Sequence, residues 1–405
     1  MAHLRLSSTP NPEATSATKL TKLQIYGHVL HPSSFRVDIG EGRVGYKYNL
    51  SLFRVSRLVY TESLKIFRQL NLFVVVETPW HEAEQHVSIE GNVPIICRDD
   101  AAQHFTGQTL AVNIEAPEFQ TDGEGENNRF VILLDDLVLF CRMWYYSDLN
   151  FAGDLNRYLT LTLTLRQPFA APYDDTTLPK ALQRRIFEPF GLVKGLNDVI
   201  VKGQHYPSLV RAMREEMAIP YDTPQKCLEE ATKLHEEGTK ALERKDPKRA
   251  IELYIQSFEK IHIICIGRKR LIWGDAWFDV QLTDKPYKGL HGQVVRMMLR
   301  ITLVANIVKA YLDMQDYEEA EFWGMRTIDL MREANGWSPD DNRDEPVLDF
   351  PGAAQIGEIY YRTGVAQKAL GKRDEARKLL KMAAVYLPHE ETVKRELASV
   401  SLQIG

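Results

Sequence analysis

From Ala231 to the C-terminus the sequence carries one pattern three times, and that pattern confines the region to paired helices. In the first copy Leu234, Gly238 and Ala241 place small and apolar residues on one face of a helix. Ala250, twelve residues beyond Gly238, lets a second helix approach closely, and Tyr254 follows one turn later. The second copy reads Val304, Val308, Tyr311 and Ala320; the third reads Tyr360, Gly364, Ala376, Ala383 and a terminal Pro388. A polar turn precedes each alanine: Lys245-Asp246-Pro247, Gln315-Asp316-Tyr317 and Gly371-Lys372-Arg373. One such pair cannot bury its own apolar face, so the copies are expected to stack and leave a concave groove.

These offsets resemble the tetratricopeptide family, and the resemblance implies a superhelix that binds protein or peptide and carries out no bond chemistry. The alanine-to-alanine spacings of 70 and 56 residues exceed the ~34-residue unit, so insertions are expected between pairs. The expected units are residues 231–264, 301–334 and 357–388, with insertions at 265–300 and 335–356 and a capping helix over 389–405. Within the first insertion, Gly292 to Arg300 is expected to lengthen the following helix, since His291 to Asp313 holds no proline and one glycine. The second insertion, rich in Asp, Pro and Gly, reads as a loop.

Before Pro220 the pattern changes. Strands are expected at Asn71–Val76, Pro94–Cys97, Thr109–Ile114, Phe130–Leu134, Tyr158–Leu165 and Asp198–Val201, interleaved with helices at Leu50–Gln69, Asp135–Ser147, Pro179–Phe187 and Tyr206–Met217. The leucine-threonine alternation from Leu159 to Leu165 buries the leucine face. This mixed order indicates an α+β domain over 19–220, preceded by a polar tail at 1–18 and followed by a linker and lead-in at 221–230. Within it, Leu20 to Leu30, Leu52 to Phe67 and Leu72 to Val76 resemble the helices and strand of F-box-like modules in filamentous-fungal proteins of unknown role. That resemblance implies a ubiquitin-ligase docking face at Leu23, Ile25, Tyr26 and Val29. Thr21-Lys22 stand where such helices usually carry Pro-Glu, and the same spacing suits an amphipathic core helix.

Bulk properties exclude several classes. Lys and Arg number 22 against 26 acidic residues before Gln225 and 28 against 29 after it, so neither half has the basic footprint of a nucleic-acid binder. No apolar run approaches the ~20 residues that span a bilayer, so no membrane partner is expected. Cys97, Cys141, Cys227 and Cys265 share no pairing or metal spacing, which fits a reducing compartment, cytoplasmic or nuclear.

Motifs for chemistry are sparse. Gly40 to Gly45 spells G-x-G-x-x-G, but a glycine loop between helices, the second capped by Asn49, fits the flanking residues better than a dinucleotide turn. His81 and His86 are five apart and diverge on a helix, so no metal site is expected there. Cys141 lies in an apolar stretch and reads as a buried small residue. Asp135-Asp136 suits a helix N-terminus, and Asp174-Asp175 sits in a turn. No catalytic, cofactor or metal constellation is assigned.

The groove is therefore the working site. Tetratricopeptide proteins that grip chaperone C-termini hold a carboxylate with two lysines, two asparagines and an arginine. Here Asn306 and Arg362 match by position, whereas His235, Thr239 and Glu358 replace the rest; Lys309 and Lys368 project to the groove as replacement charge. The aromatic residues of the first insertion, Trp273, Trp277, Phe278 and Tyr287, either pack internally or form a partner patch. The expected molecule is a non-enzymatic adaptor, α+β and then an all-α tetratricopeptide superhelix with a capping helix. Two alternatives stay open: a ligase substrate receptor that engages a linker subunit, and a chaperone-tail co-chaperone.

Overall fold

The computed structural model describes residues 22–40, 42–119, 128–170, 177–334, 336 and 345–401. The polar tail at 1–18, Asp174-Asp175 and much of the second insertion lie outside the described residues. Two units divide the chain: Met1–Tyr221 with Gly267–Lys269, and Asp222–Ile266 with Arg270–Gly405.

In the first unit, helix α1 (residues 22–29) buries Tyr26, which joins Leu30 and Phe35 in a small core. Tyr46, Tyr48, Phe53 and Phe67 pack around it, with the Phe35 and Tyr48 rings 4.6 Å apart. Strands β1 (Arg36–Asp38) and β2 (Val44–Tyr46) form an antiparallel hairpin with Val37 opposite Gly45. Gly40 and Gly42 take positive φ of 92° and 68° to turn it. The G-x-G-x-x-G is thus a turn between strands, not the loop between helices expected from sequence. A strand follows it where a dinucleotide fold needs a helix. Helix α2 (Arg57–Leu70) then starts at Ser56, whose Oγ accepts from the Val59 amide at 3.2 Å.

The six strands that follow are β3 (Phe73–Thr78), β4 (Cys97–Arg98), β5 (Gln108–Glu115), β6 (Asn128–Leu133), β7 (Thr160–Leu165) and β8 (Asp198–Lys202). Each overlaps or adjoins one of the six segments read as strands from the sequence. They form one mixed sheet in the order β4-β6-β3-β5-β7-β8. The β3–β5 and β7–β8 pairs are parallel; the others are antiparallel. Leu161 and Leu163 of β7 are fully buried, as their alternation requires, and Thr162 on the opposite face is covered too. The three longest described helices after β3 in this unit are α3 (Leu137–Asn150), α4 (Lys180–Phe187) and α5 (Pro207–Ala218). Most of α3 is buried, so its apolar residues run round the whole helix and give no stripe. Its one buried carboxylate, Asp148, accepts from the Tyr221 hydroxyl at 2.7 Å and the Asn156 amide at 2.9 Å. Asn156 in turn accepts from the Trp144 indole at 2.8 Å, so this buried polar group is fully engaged.

The second unit contains three consecutive helix pairs. The first pair is α6 (Pro224–Glu243) with α7 (Pro247–Lys260), the second α8 (Gly292–Asp313) with α9 (Tyr317–Ala334), the third α10 (Ala353–Ala369) with α11 (Arg373–Tyr386). Helix α12 (Glu391–Ser401) closes the stack and buries Val393. Proline at the first turn and a capping Thr223 or Asp246 set the starts of α6 and α7. Helix therefore begins at Pro224, inside the segment expected as linker and lead-in. Gly292–Arg300 forms the opening of α8, lengthening it as the sequence implied. The first insertion also contains a hairpin that the sequence did not disclose, β9 (Ile263–Ile266) with β10 (Lys269–Ile272).

Ala250, Ala320 and Ala376 are wholly buried at the crossings. The glycines beside them leave no space for a side chain: a Cβ on Gly238 would sit 2.5 Å from the Tyr254 ring, and one on Gly364 2.9 Å from Leu380. Gly324 of α9 lies against Thr363 of α10, a buried residue whose hydroxyl donates to the Ile359 carbonyl at 2.6 Å. A methyl group at Gly324 meets the Thr363 hydroxyl, its Cβ and its Cγ2. Gly324→Ala is therefore expected to destabilise the protein by roughly 1–3 kcal/mol through overpacking, despite alanine's better helix propensity. Chemical denaturation monitored by circular dichroism measures this; an unchanged or raised midpoint would show that the helices separate freely there.

Candidate functional site

A row of polar side chains crosses the first helices of the three pairs. His235 of α6 accepts at Nε2 from the Asn306 amide of α8 at 2.9 Å. That assignment makes the imidazole neutral with its proton on Nδ1, consistent with burial lowering its pKa. Thr239, one turn along α6, donates to the His235 carbonyl at 3.1 Å and lies 3.4 Å from the Tyr254 hydroxyl. Arg362 of α10 donates to the Ala305 carbonyl of α8 at 2.6 Å and pairs with Glu358 at 2.7 Å. Burial pushes its guanidinium pKa down, and Glu358 and Asp313 pull the other way. The row thus holds two separate contacts between first helices, His235–Asn306 and Arg362–Ala305, and its one buried cation already has an anion.

The two lysines differ. Lys368 is held by Glu396 at 2.7 Å and Ser399 at 2.8 Å, both on the capping helix. It fastens α12 to α10 and is not a loose charge. Lys309 is exposed on α8, one turn beyond Asn306.

The aromatic insertion residues are largely internal. Trp273 and Phe278 are buried, which removes them from any accessible patch, and the partner-patch reading is corrected for both. Trp277 is half-buried and donates to the Asp222 carbonyl at 3.2 Å; half-buried Tyr287 meets Thr232 at 2.5 Å. Arg296 organises this region. Buried on α8, it donates to the carbonyls of Ile261 (2.9 Å) and Trp273 (2.5 Å), pairs with Asp275 (2.5 Å) and lies 4.7 Å from the Phe278 ring centre.

On α1, burial separates one of the expected docking residues from the rest. Leu23, Ile25 and Val29 are exposed, Ile25 by 54%, whereas Tyr26 is only 6% exposed. Tyr26 belongs to the core and cannot contact a partner, which corrects its place in the docking set.

The remaining titratable motifs are engaged locally. His86 reaches Ser147 at 2.9 Å and Glu90 at 2.9 Å, and among the described residues no group of His, Cys, Asp or Glu could hold a metal ion. Cys141 is buried, and its thiol is pushed well above its usual range by desolvation. Asp136 stands at the N-cap position of α3 without a side-chain capping bond and accepts from the Tyr46 hydroxyl at 2.9 Å; burial raises its carboxyl to about 6. Beside it a shallow cleft is lined by Leu134, Asp135, Val138, Arg185 and Glu188, with Asp135 and Arg185 paired at 2.6 Å. No described helix is long and apolar enough to cross a membrane.

No protein-family model matches the chain, and no curated protein does. Among solved structures, it is similar to the C-terminal TPR-containing domain of a Plasmodium falciparum FK506-binding protein: 17% identity over 44% of this chain and 91% of that one, TM-score 0.31. The first TPR domain of human RPAP3 is 18% identical over 43% of this chain and 91% of its own, TM-score 0.26. The first TPR of Spaghetti (RPAP3), bound to the HSP90 peptide SRMEEVD, is 17% identical over 45% and 96%, TM-score 0.26. Likeness at that level carries no function across; the helix-pair description rests on the packing above.

His262, buried beside Phe278, provides a pH test of the second unit. Burial, and then the nearby Arg296, lower its pKa to about 3. The unfolded chain binds the proton near pH 6.5 and the folded chain does not, so stability is full above ~6.5 and falls as pH drops towards ~3, at about 1.4 kcal/mol per unit. His262→Asn, which tolerates the positive φ of 58°, is expected to remove that slope. Denaturant titrations at pH 7 and pH 4.5 on both proteins check it; parallel losses would show that His262 titrates normally.

Proposed function

We propose that this protein is a non-enzymatic adaptor whose helix-pair unit holds a segment of another protein along the His235–Asn306–Arg362 strip. The carrying observation is the strip itself, which joins the first helices of all three pairs through side chains. With Arg362 neutralised by Glu358 and Lys368 spent on α12, the strip favours an uncharged segment recognised by hydrogen bonds. Thr239, Asn306 and Glu358 supply polar contacts, and Lys309 a single exposed charge. A chaperone C-terminus fits less well, because its carboxylates would meet Glu358 and compete with an existing ion pair. Calorimetry with the peptide SRMEEVD is expected to show no binding to the native chain at ~1 mM. Glu358→Gln, which frees Arg362, should introduce weak binding. Tight binding by the native chain would replace the neutral-segment reading with the co-chaperone one.

A second reading has its own observation. Exposed Ile25 and Val29, four residues apart, share an apolar side of α1 suited to a ligase linker subunit, with exposed Leu23 displaced around the helix. Affinity purification with mass spectrometry, comparing the native chain with Lys309→Glu and Ile25→Asp, separates the two. Partners lost only with Lys309→Glu support the adaptor; a linker subunit lost only with Ile25→Asp makes the receptor reading primary. Identical recoveries from all three proteins would defeat both.

A further inference from the structure

The sheet of the first unit has two unlike edges. One is β4, two residues long, too short to template another strand. The other is β8, five residues that pair with β7 alone among the described strands. Its outward residues Asp198, Ile200 and Lys202 are exposed. Alongside it runs α5, and between them lies an open cavity of about 500 Å³. Val201, Val210 and Ala218 give this cavity an apolar lining, while Arg211, Arg214 and Glu215 supply its charge. The two arginines are exposed and make no ion pair with any described residue. Arg214 donates to the Val199 carbonyl at 2.7 Å and so ties α5 to β8.

We infer that this edge takes an extended acidic peptide, which adds to the sheet beyond β8 and lies against α5. Strand addition supplies affinity through backbone pairing, and alternate side chains supply selectivity. A strand of β8's length covers about 17 Å, enough for about five peptide residues at ~3.4 Å each. One set of peptide side chains then lies beside Ile200, on the sheet face opposite the cavity. The other reaches Arg211 and Arg214, whose positive charge outweighs Glu215 and selects carboxylates. A second copy of the chain would bring two pairs of arginines together, so a different, acidic partner fits better. This surface lies in the α+β unit and is independent of the helix-pair strip.

The test is fluorescence anisotropy of the full chain with a labelled hexapeptide alternating valine and glutamate. Saturable binding below ~1 mM is expected. Arg211→Glu with Arg214→Glu should weaken it at least ~tenfold, with an unchanged circular dichroism spectrum. A peptide N-methylated at its valines should not bind, because it lacks the amides that pair with β8; equal binding of that peptide would reduce the site to plain charge attraction and overturn the proposal. So would equal binding of the valine-lysine counterpart, or no saturation at millimolar peptide. A dimer in sedimentation that dissolves on Ile200→Asp would assign the edge to a second copy instead.

Discussion

Close contact between helices, made possible by missing side chains, is what the helix-pair unit depends on. Gly238 lies under the Tyr254 ring, Gly324 against Thr363 and Gly364 against Leu380, with buried alanines at each crossing. The first contact is within a pair, the second between pairs, and the third within the last pair. Removing Cβ lowers helix propensity by about 1 kcal/mol at each site, and the packing gained across the interface offsets it. The same small residues fix the rotational setting of each helix. That setting brings His235 to Asn306 and Arg362 to the Ala305 carbonyl, so the polar strip is a by-product of the apolar seam.

Much of this was legible in the sequence because it is periodic. Glycine and alanine at fixed offsets announced the pairs, and the six strand segments stood out by β-rich runs and alternation. What escaped reading was aperiodic. The β9–β10 hairpin has four-residue strands, IICI and KRLI, with no period-two alternation to mark them. Trp273 and Phe278 were ambiguous for another reason: aromatic residues near arginines suit a core or an interface equally, and only the tertiary arrangement around Arg296 decides. Tyr26 was misassigned because consecutive residues of α1 point ~100° apart, so Ile25 stays exposed while Tyr26 turns into the core. The glycines at 40 and 42 matched a phosphate motif in letters, yet positive φ serves a hairpin turn just as well.

The polar strip was partly legible too. Position alone identified Asn306, Arg362 and Glu358, and the i, i+4 spacing of Glu358 and Arg362 foretold their pairing. The contacts of Asn306 with His235 and of Arg362 with the Ala305 carbonyl were not visible. A list of cations suggests an anion site; a structure in which Arg362 and Lys368 are already paired does not. The Asp148–Asn156–Trp144–Tyr221 network left no trace in the sequence, since its members are scattered over more than seventy positions and unite only in three dimensions.

Arg296 has a consequence for how the second unit comes apart. In a plain solenoid each repeat meets only its neighbours, and opening can start wherever one junction is weak. Here a guanidinium on α8 is buried against carbonyls of Ile261 and Trp273, which lie between the first pair and the second. Separating those pairs leaves a desolvated cation and two carbonyls to be rehydrated at once, so the first two pairs and their insertion form one cooperative block. The third pair, joined through the Gly324 seam and fastened at its far side by Lys368, is left as the more separable end.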